Sequence, residues 1–141
     1  FLKYPYQNLY MTGIESGAPV PLFPADAPAS VEYGADVVAM AGVGNPNPFL
    51  AGLRMHYNVI EELVYDDHHV YRRNDLQTML DAAGEKGVIV TTEKDAVKLV
   101  NPDKIPAQLR AKLYYIPISI TFIGSSPADF LLNLEKDVRT N

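Results

Sequence analysis

Asp36-Val-Val-Ala-Met-Ala41-Gly42-Val43-Gly44-Asn45-Pro46-Asn47 is the stretch whose reading decides the fold. After Asp36, residues 37–41 form an unbroken apolar run, the signature of a strand covered on both faces in a parallel sheet. A glycine turn follows, then Asn45-Pro46, a suitable N-cap and N1 pair for a helix. Phe49, Leu50, Leu53 and Tyr57 recur at helical spacing beyond it. The same grammar repeats outward. Val59 to Tyr65 reads as a second strand, and Leu76, Met79, Leu80 and Ala83 as the stripe of a helix stopped by Gly84 and Gly87. Val88-Ile89-Val90 is the third strand. Thr92 and Asp95 form a capping box for a short helix through Leu99, and Pro102 and Pro106 break the segment after that helix. Leu113 to Ile120 is the fourth strand. Ser126-Pro127-Ala128-Asp129 opens a last helix, with Phe130, Leu131, Leu134 and Val138 on its expected buried face. Alternation of this kind predicts an α/β, Rossmann-like, three-layer α/β/α fold. Its mainly parallel four-stranded sheet takes the order 2-1-3-4.

Upstream the composition differs. Pro19, Pro21 and Pro24 forbid a helix, and Leu9 to Ile14 is a short strand candidate closed by Gly13 and Gly17. Residues 1–36 therefore read as an extended connector with possible edge strands, and residues 37–141 as the α/β lobe. Tyr4, Tyr6 and Tyr10 cluster in the connector, and Phe1-Leu2-Lys3-Tyr4-Pro5 reads like the middle of a longer coding sequence. The 141 residues, 48% of them hydrophobic, suit one domain able to bury about 70% of its unfolded surface. Nine Tyr and five Phe oppose disorder. Seventeen acids against twelve Lys and Arg give −5, which argues against nucleic acid as a partner. No cysteine means no disulfide and no thiolate chemistry. Neither a secretory leader nor an apolar run near the roughly 20 residues that span a bilayer is present in the sequence.

Polar sequences gather where strands end, which is where ligands bind in parallel sheets. Gly42, Gly44 and Asn45 begin like a dinucleotide fingerprint, whose glycines let backbone N–H groups approach phosphate. The third glycine of that pattern is replaced by Asn47, so a purely structural turn is the preferred reading and ligand contact the alternative. In either case Gly44 is expected to supply a positive φ or a close backbone approach. Asp66-Asp67-His68-His69 sets two carboxylates against two imidazoles, a pairing suited to proton transfer near neutral pH. Adjacent histidines are badly placed to chelate one ion, so no metal site is assigned; a plain polar loop is the competing reading. Arg72 and Arg73 stand at a helix start, where cations oppose the macrodipole. A bound anion would relieve that conflict, as would partial neutralisation by Asp75. Thr92 is explained by capping; Lys94 is not, and can reach toward an anion in the cleft.

Together, Ala41-Gly42-Val43-Gly44-Asn45-Pro46, then Asp67-His68-His69-Val70-Tyr71, then Thr91 through Leu99 resemble the tetraacyldisaccharide 4′-kinase (lipid A 4′-kinase) family in order and spacing. The match covers residues 37–99, and more loosely Pro19-Val-Pro-Leu-Phe23. The resemblance implies a phosphotransferase of Gram-negative lipopolysaccharide synthesis at the cytoplasmic face of the inner membrane. It implies ATP and Mg²⁺ as cofactors and a lipid A precursor, tetraacyldisaccharide 1-phosphate, as acceptor. It further implies catalytic roles for His68 and Asp67, with His68 assisting an Asp of the other lobe. No G-x-x-x-x-G-K-[ST] occurs in these residues. The chain therefore resembles the C-terminal lid lobe alone, partnered by an N-terminal P-loop lobe and a membrane surface. By itself it is expected to be soluble, inactive and without tight cofactor binding. The alternative is a stand-alone Rossmann-like nucleotide-binding or regulatory module using Gly42 and Gly44; binding of ATP, NAD and a lipid A precursor would discriminate the two.

Overall fold

Val37, Val38, Ala39, Met40 and Ala41 are fully inaccessible to solvent, so the apolar run is the middle of a covered sheet. The computed structural model describes residues 8–140, and Tyr4, Tyr6 and the Phe1–Pro5 segment lie outside that range. In chain order the strands are β1 (Met11–Ser16), β2 (Val20–Pro21), β3 (Asp36–Ala41), β4 (Asn58–Val64), β5 (Val88–Thr92), β6 (Leu113–Ile116) and β7 (Ile118–Ile123). The helices are α1 (Asn47–Arg54), α2 (Arg73–Ala83), α3 (Glu93–Ala96), α4 (Ala107–Arg110) and α5 (Pro127–Thr140). A 3₁₀ turn covers Pro102–Lys104.

The described residues form two compact units: residues 17–117, and residues 8–16 with 118–140. The first holds a five-stranded sheet of order β2-β6-β5-β3-β4. Strands β4, β3, β5 and β6 run parallel and reproduce the 2-1-3-4 order expected from sequence. The two-residue β2 adds an antiparallel edge, Val20 opposite Tyr115 and Pro21 opposite Tyr114. Proline is tolerated there because an edge strand has one unpaired side. Alternate β3 residues feed two cores. Val38 and Met40 pack with Leu76, Met79 and Leu109 on one face. Val37 and Ala39 pack with Leu50 and Leu53 on the other. Helices α2 and α4 thus cover one face and α1 the opposite one, completing three layers.

The second unit pairs β1 antiparallel with β7, Met11 opposite Ile123 through Ser16 opposite Ile118. Tyr10 packs edge-on against Phe130 with ring centres 5.2 Å apart. Helix α5 starts where expected: the Asp129 amide donates to Ser126 Oγ at 3.1 Å.

Three expectations need correction. The predicted strand over 113–120 is two strands, because Pro117 has no N–H to continue the ladder and its carbonyl instead accepts from Gly17 at 2.9 Å. The apolar stripe of α5 is not buried: Leu131, Leu134 and Val138 are exposed, and Phe130 is half-buried. Helix α1 begins at Asn47 rather than Pro46, with Asn45 Oδ1 accepting from the Asn47 amide at 3.3 Å. Among the described residues no helix is long and apolar enough to cross a membrane.

Candidate active site

Strand β3 lies between β4 and β5, and the chain leaves its carboxyl end at the point where successive crossovers part to opposite sides. Such a switch point opens a crevice. The loops after β3, β4 and β5 meet there.

At the crevice floor is Asp95, an acid whose side chain is 0% exposed. Thr92 caps the short helix α3, its Oγ1 accepting from the Asp95 amide at 3.1 Å and donating to Asp95 Oδ2 at 2.7 Å. The Gly42 amide donates to the same oxygen at 2.8 Å. Lys98 Nζ lies 3.0 Å from Oδ1 and 5.6 Å from the centre of the Tyr71 ring. Burial works against the Asp95 charge, but the donors from Gly42, Thr92 and Lys98 outweigh it, and its pKa falls below the ordinary carboxylate value. The Tyr71 hydroxyl moves the other way, raised by burial and then by the Asp95 charge.

This hub explains the first glycine of the loop. A Cβ on Gly42 would stand 2.9 Å from the Tyr71 hydroxyl oxygen and 3.0 Å from Asp95 Oδ1. Gly44 is different: a Cβ there would meet only Asp67 Oδ2, at 3.8 Å, and its φ is not positive. The tight position expected at Gly44 is therefore Gly42. The Gly42 amide is also committed to Asp95, so it is not presented to a ligand phosphate, which weighs against the dinucleotide reading of Gly42, Gly44 and Asn45.

Above the floor, Asp67, His68 and Lys94 come together. Lys94 Nζ pairs with Asp67 Oδ1 at 2.7 Å. His68 Nε2 lies 3.4 Å from Asp67 Oδ2, and the His68 amide donates to Oδ1 at 3.0 Å. The Lys94 hydrogen bond is the main cause of a lowered Asp67 pKa; desolvation opposes it, and the neighbouring His68 adds to the lowering. Lys94 thus has a carboxylate as its counter-ion here, where the sequence suggested a cleft anion. His68 carries a φ of 64°, and is the one non-glycine with positive φ among the described residues. Its side chain is 81% exposed. Unfavourable backbone at an exposed polar side chain is a pattern found at functional sites.

His69 is built differently. Its ring stacks on Tyr65 with centres 4.5 Å apart and meets Tyr71 edge-on at 5.1 Å. Its Nε2 lies 3.1 Å from Asp75 Oδ2, an oxygen that also accepts from the Arg72 amide at 2.7 Å. Partial burial opposes the Asp75 charge, but these two donors prevail and its pKa is lowered. His69 is a packing residue, and His68 faces solvent. Arg72 caps α2 and Arg73 is its first residue, as the sequence indicated. Neither guanidinium group forms a direct ion pair among the described residues, but the Arg72 charge adds to the lowering of the Asp75 pKa.

Comparison with known proteins adds the family. The model of Tetraacyldisaccharide-1-P 4′-kinase matches residues 16–138. The chain belongs to that family. A tetraacyldisaccharide 4′-kinase of Bacteroides thetaiotaomicron is 31% identical over 152 residues, covering 98% of this chain and 40% of the relative. That of Phocaeicola vulgatus is 30% identical, with 98% and 40% covered. That of Halothermothrix orenii reaches 38% over 96 residues, 65% of this chain and 25% of its own length. The chain thus spans about two fifths of the first two kinases. No solved structure matches.

Of the family-motif positions, Asp67, His68, Lys94 and Gly44 come together. Gly42 and Thr92 serve the Asp95 hub, Asn45 precedes α1 and accepts from its Asn47 amide, and Arg72 and Arg73 open α2. Sequence reading took Asp95 for a helix-capping acid only. An acid three residues past an apolar strand, level with a glycine loop, was the available signal.

Proposed function

We propose that these residues are the C-terminal lobe of a kinase that transfers the ATP γ-phosphoryl group to the 4′-hydroxyl of tetraacyldisaccharide 1-phosphate in lipid A biosynthesis. Family membership supports the kinase class. The single observation carrying the local reading is the exposed His68 imidazole, held beside Asp67 by a positive-φ backbone at the carboxyl end of a parallel strand. With Nε2 turned to Asp67, Nδ1 is the nitrogen left to share the proton that an Asp of the other lobe takes from the acceptor hydroxyl. Asp67 stabilises the imidazolium that forms, and Lys94 keeps Asp67 ionised and in place. General-base assistance of this kind is worth about a hundredfold or more.

The rest of the machinery does not fit the residues described. No P-loop sequence occurs, and no group of three or more His, Asp or Glu is placed to hold a metal ion among the described residues. In this reading ATP and Mg²⁺ are held by an N-terminal P-loop lobe, and the two lobes work on the lipid A precursor at the cytoplasmic face of the inner membrane. The test is phosphoryl transfer from labelled ATP to tetraacyldisaccharide 1-phosphate. A protein carrying both lobes is expected to turn over, and the 141 residues alone to give none. Turnover by these residues alone would overturn the division of labour.

A further inference from the structure

A cavity of about 500 Å³ opens beside α2, away from Asp67, His68 and Lys94, none of which lines it. Its rim carries four cations from three segments: Arg72 and Arg73 at the start of α2, Lys98 after α3, and Lys104 in the 3₁₀ turn. One carboxylate, Asp103, faces them. Such a concentration is unexpected in a chain of net charge −5. Lys98 is paired with Asp95, and the Arg72 charge acts on the Asp75 carboxylate beside it, while Arg73 and Lys104 form no ion pair among the described residues. The floor is apolar, with Leu76, Leu99 and Ile105 all nearly inaccessible. A volume of this size exceeds what a bare oxyanion fills and falls in the range of small-molecule sites.

We infer that this cavity binds a phosphate monoester, its phosphoryl group at the Arg72–Arg73 rim and its organic portion over Leu76, Leu99 and Ile105. Paired guanidinium groups present forks that match the oxygens of a phosphate bidentately. The same chemistry is offered by a soluble sugar phosphate and by the monoester headgroup of phosphatidic acid. The site is independent of the phosphoryl-transfer reading, because it uses neither His68 nor Asp67.

The test titrates the 141-residue chain with glucose 1-phosphate by calorimetry, and sediments it with phosphatidylcholine vesicles with and without phosphatidic acid. Arg72→Gln/Arg73→Gln should weaken binding by about tenfold or more, whereas Lys86→Gln, a remote exposed cation, and His68→Ala should leave it within about twofold. Thermal melting guards against misfolding. The double variant is expected to melt no lower than the parent, since it removes cations from a helix N-terminus. Binding to glucose 1-phosphate assigns a soluble ligand, and binding only to phosphatidic acid vesicles assigns a lipid one. Binding to neither overturns the proposal, as does binding unaffected by the double variant or lost equally in Lys86→Gln. Loss in His68→Ala with retention in the arginine variant would move the anion to the Asp67–His68 loop and also overturn it.

Discussion

Replacing Asp95 by Asn keeps the shape of the side chain and removes its charge. The carboxylate accepts from the Gly42 amide at 2.8 Å, the Thr92 hydroxyl at 2.7 Å and Lys98 Nζ at 3.0 Å, and is itself fully buried. An Asn amide has one oxygen, so its NH₂ must face either the Gly42 and Thr92 donors or the Lys98 ammonium. Removing one partner of a buried ion pair costs about 3–5 kcal/mol. The Lys98 side chain is a quarter exposed and recovers part of its hydration, which brings the expected loss to about 2–3 kcal/mol. For a domain of this size that is a fall of roughly 6–15 °C in Tm. The effect has a pH signature. The folded Asp95 pKa is depressed, so its stabilisation is present above the unfolded value of about 3.9 and is lost as pH falls through the folded value. The gap between parent and Asp95→Asn should therefore narrow on acidification below about pH 4. Urea unfolding followed by circular dichroism at pH 7, 5 and 3.5 measures it. A gap under about 0.5 kcal/mol at pH 7, or one that does not change with pH, would refute the hub.

Gly42→Ala should destabilise by about 1–3 kcal/mol, because its Cβ meets the Tyr71 hydroxyl and Asp95 at close range. Gly44→Ala, with only a 3.8 Å contact, should stay within about 0.5 kcal/mol; paired melting curves check both. His68→Gly should be more stable than His68→Ala by about 1 kcal/mol, since only glycine adopts a φ of 64° without strain. Equal unfolding midpoints for those two variants would remove the strain argument.

The parallel sheet was legible because strands buried on both faces are written as unbroken apolar runs, and 37–41 is one. Local caps were legible for the same reason: Thr92 with Asp95, and Ser126 with Asp129, are spaced three residues apart. Contacts between distant residues left no such mark. The Asp95 carboxylate meets an amide 53 positions earlier, and Lys94 meets Asp67 across 27. Neither pairing has a local pattern, so Lys94 read as an unexplained cation and Asp95 as a cap. The choice between Gly42 and Gly44 also depended on the distant Tyr71 hydroxyl. Pro117 was visible as a residue, but apolar residues on both sides hid its consequence, two short strands in separate units. The stripe of α5 shows the limit of periodicity, which marks an apolar face and does not say what covers it.

The central claim is that the exposed His68 beside Asp67 serves phosphoryl transfer in the complete protein. The direct measurement is steady-state transfer of label from ATP to tetraacyldisaccharide 1-phosphate by the two-lobe protein, unmodified and as His68→Ala, at matched folded fraction. The expected result is a kcat lower by about a hundredfold with KM for ATP little changed. A kcat for His68→Ala within about twofold of the unmodified protein, as expected of an exposed residue without a role, would contradict it.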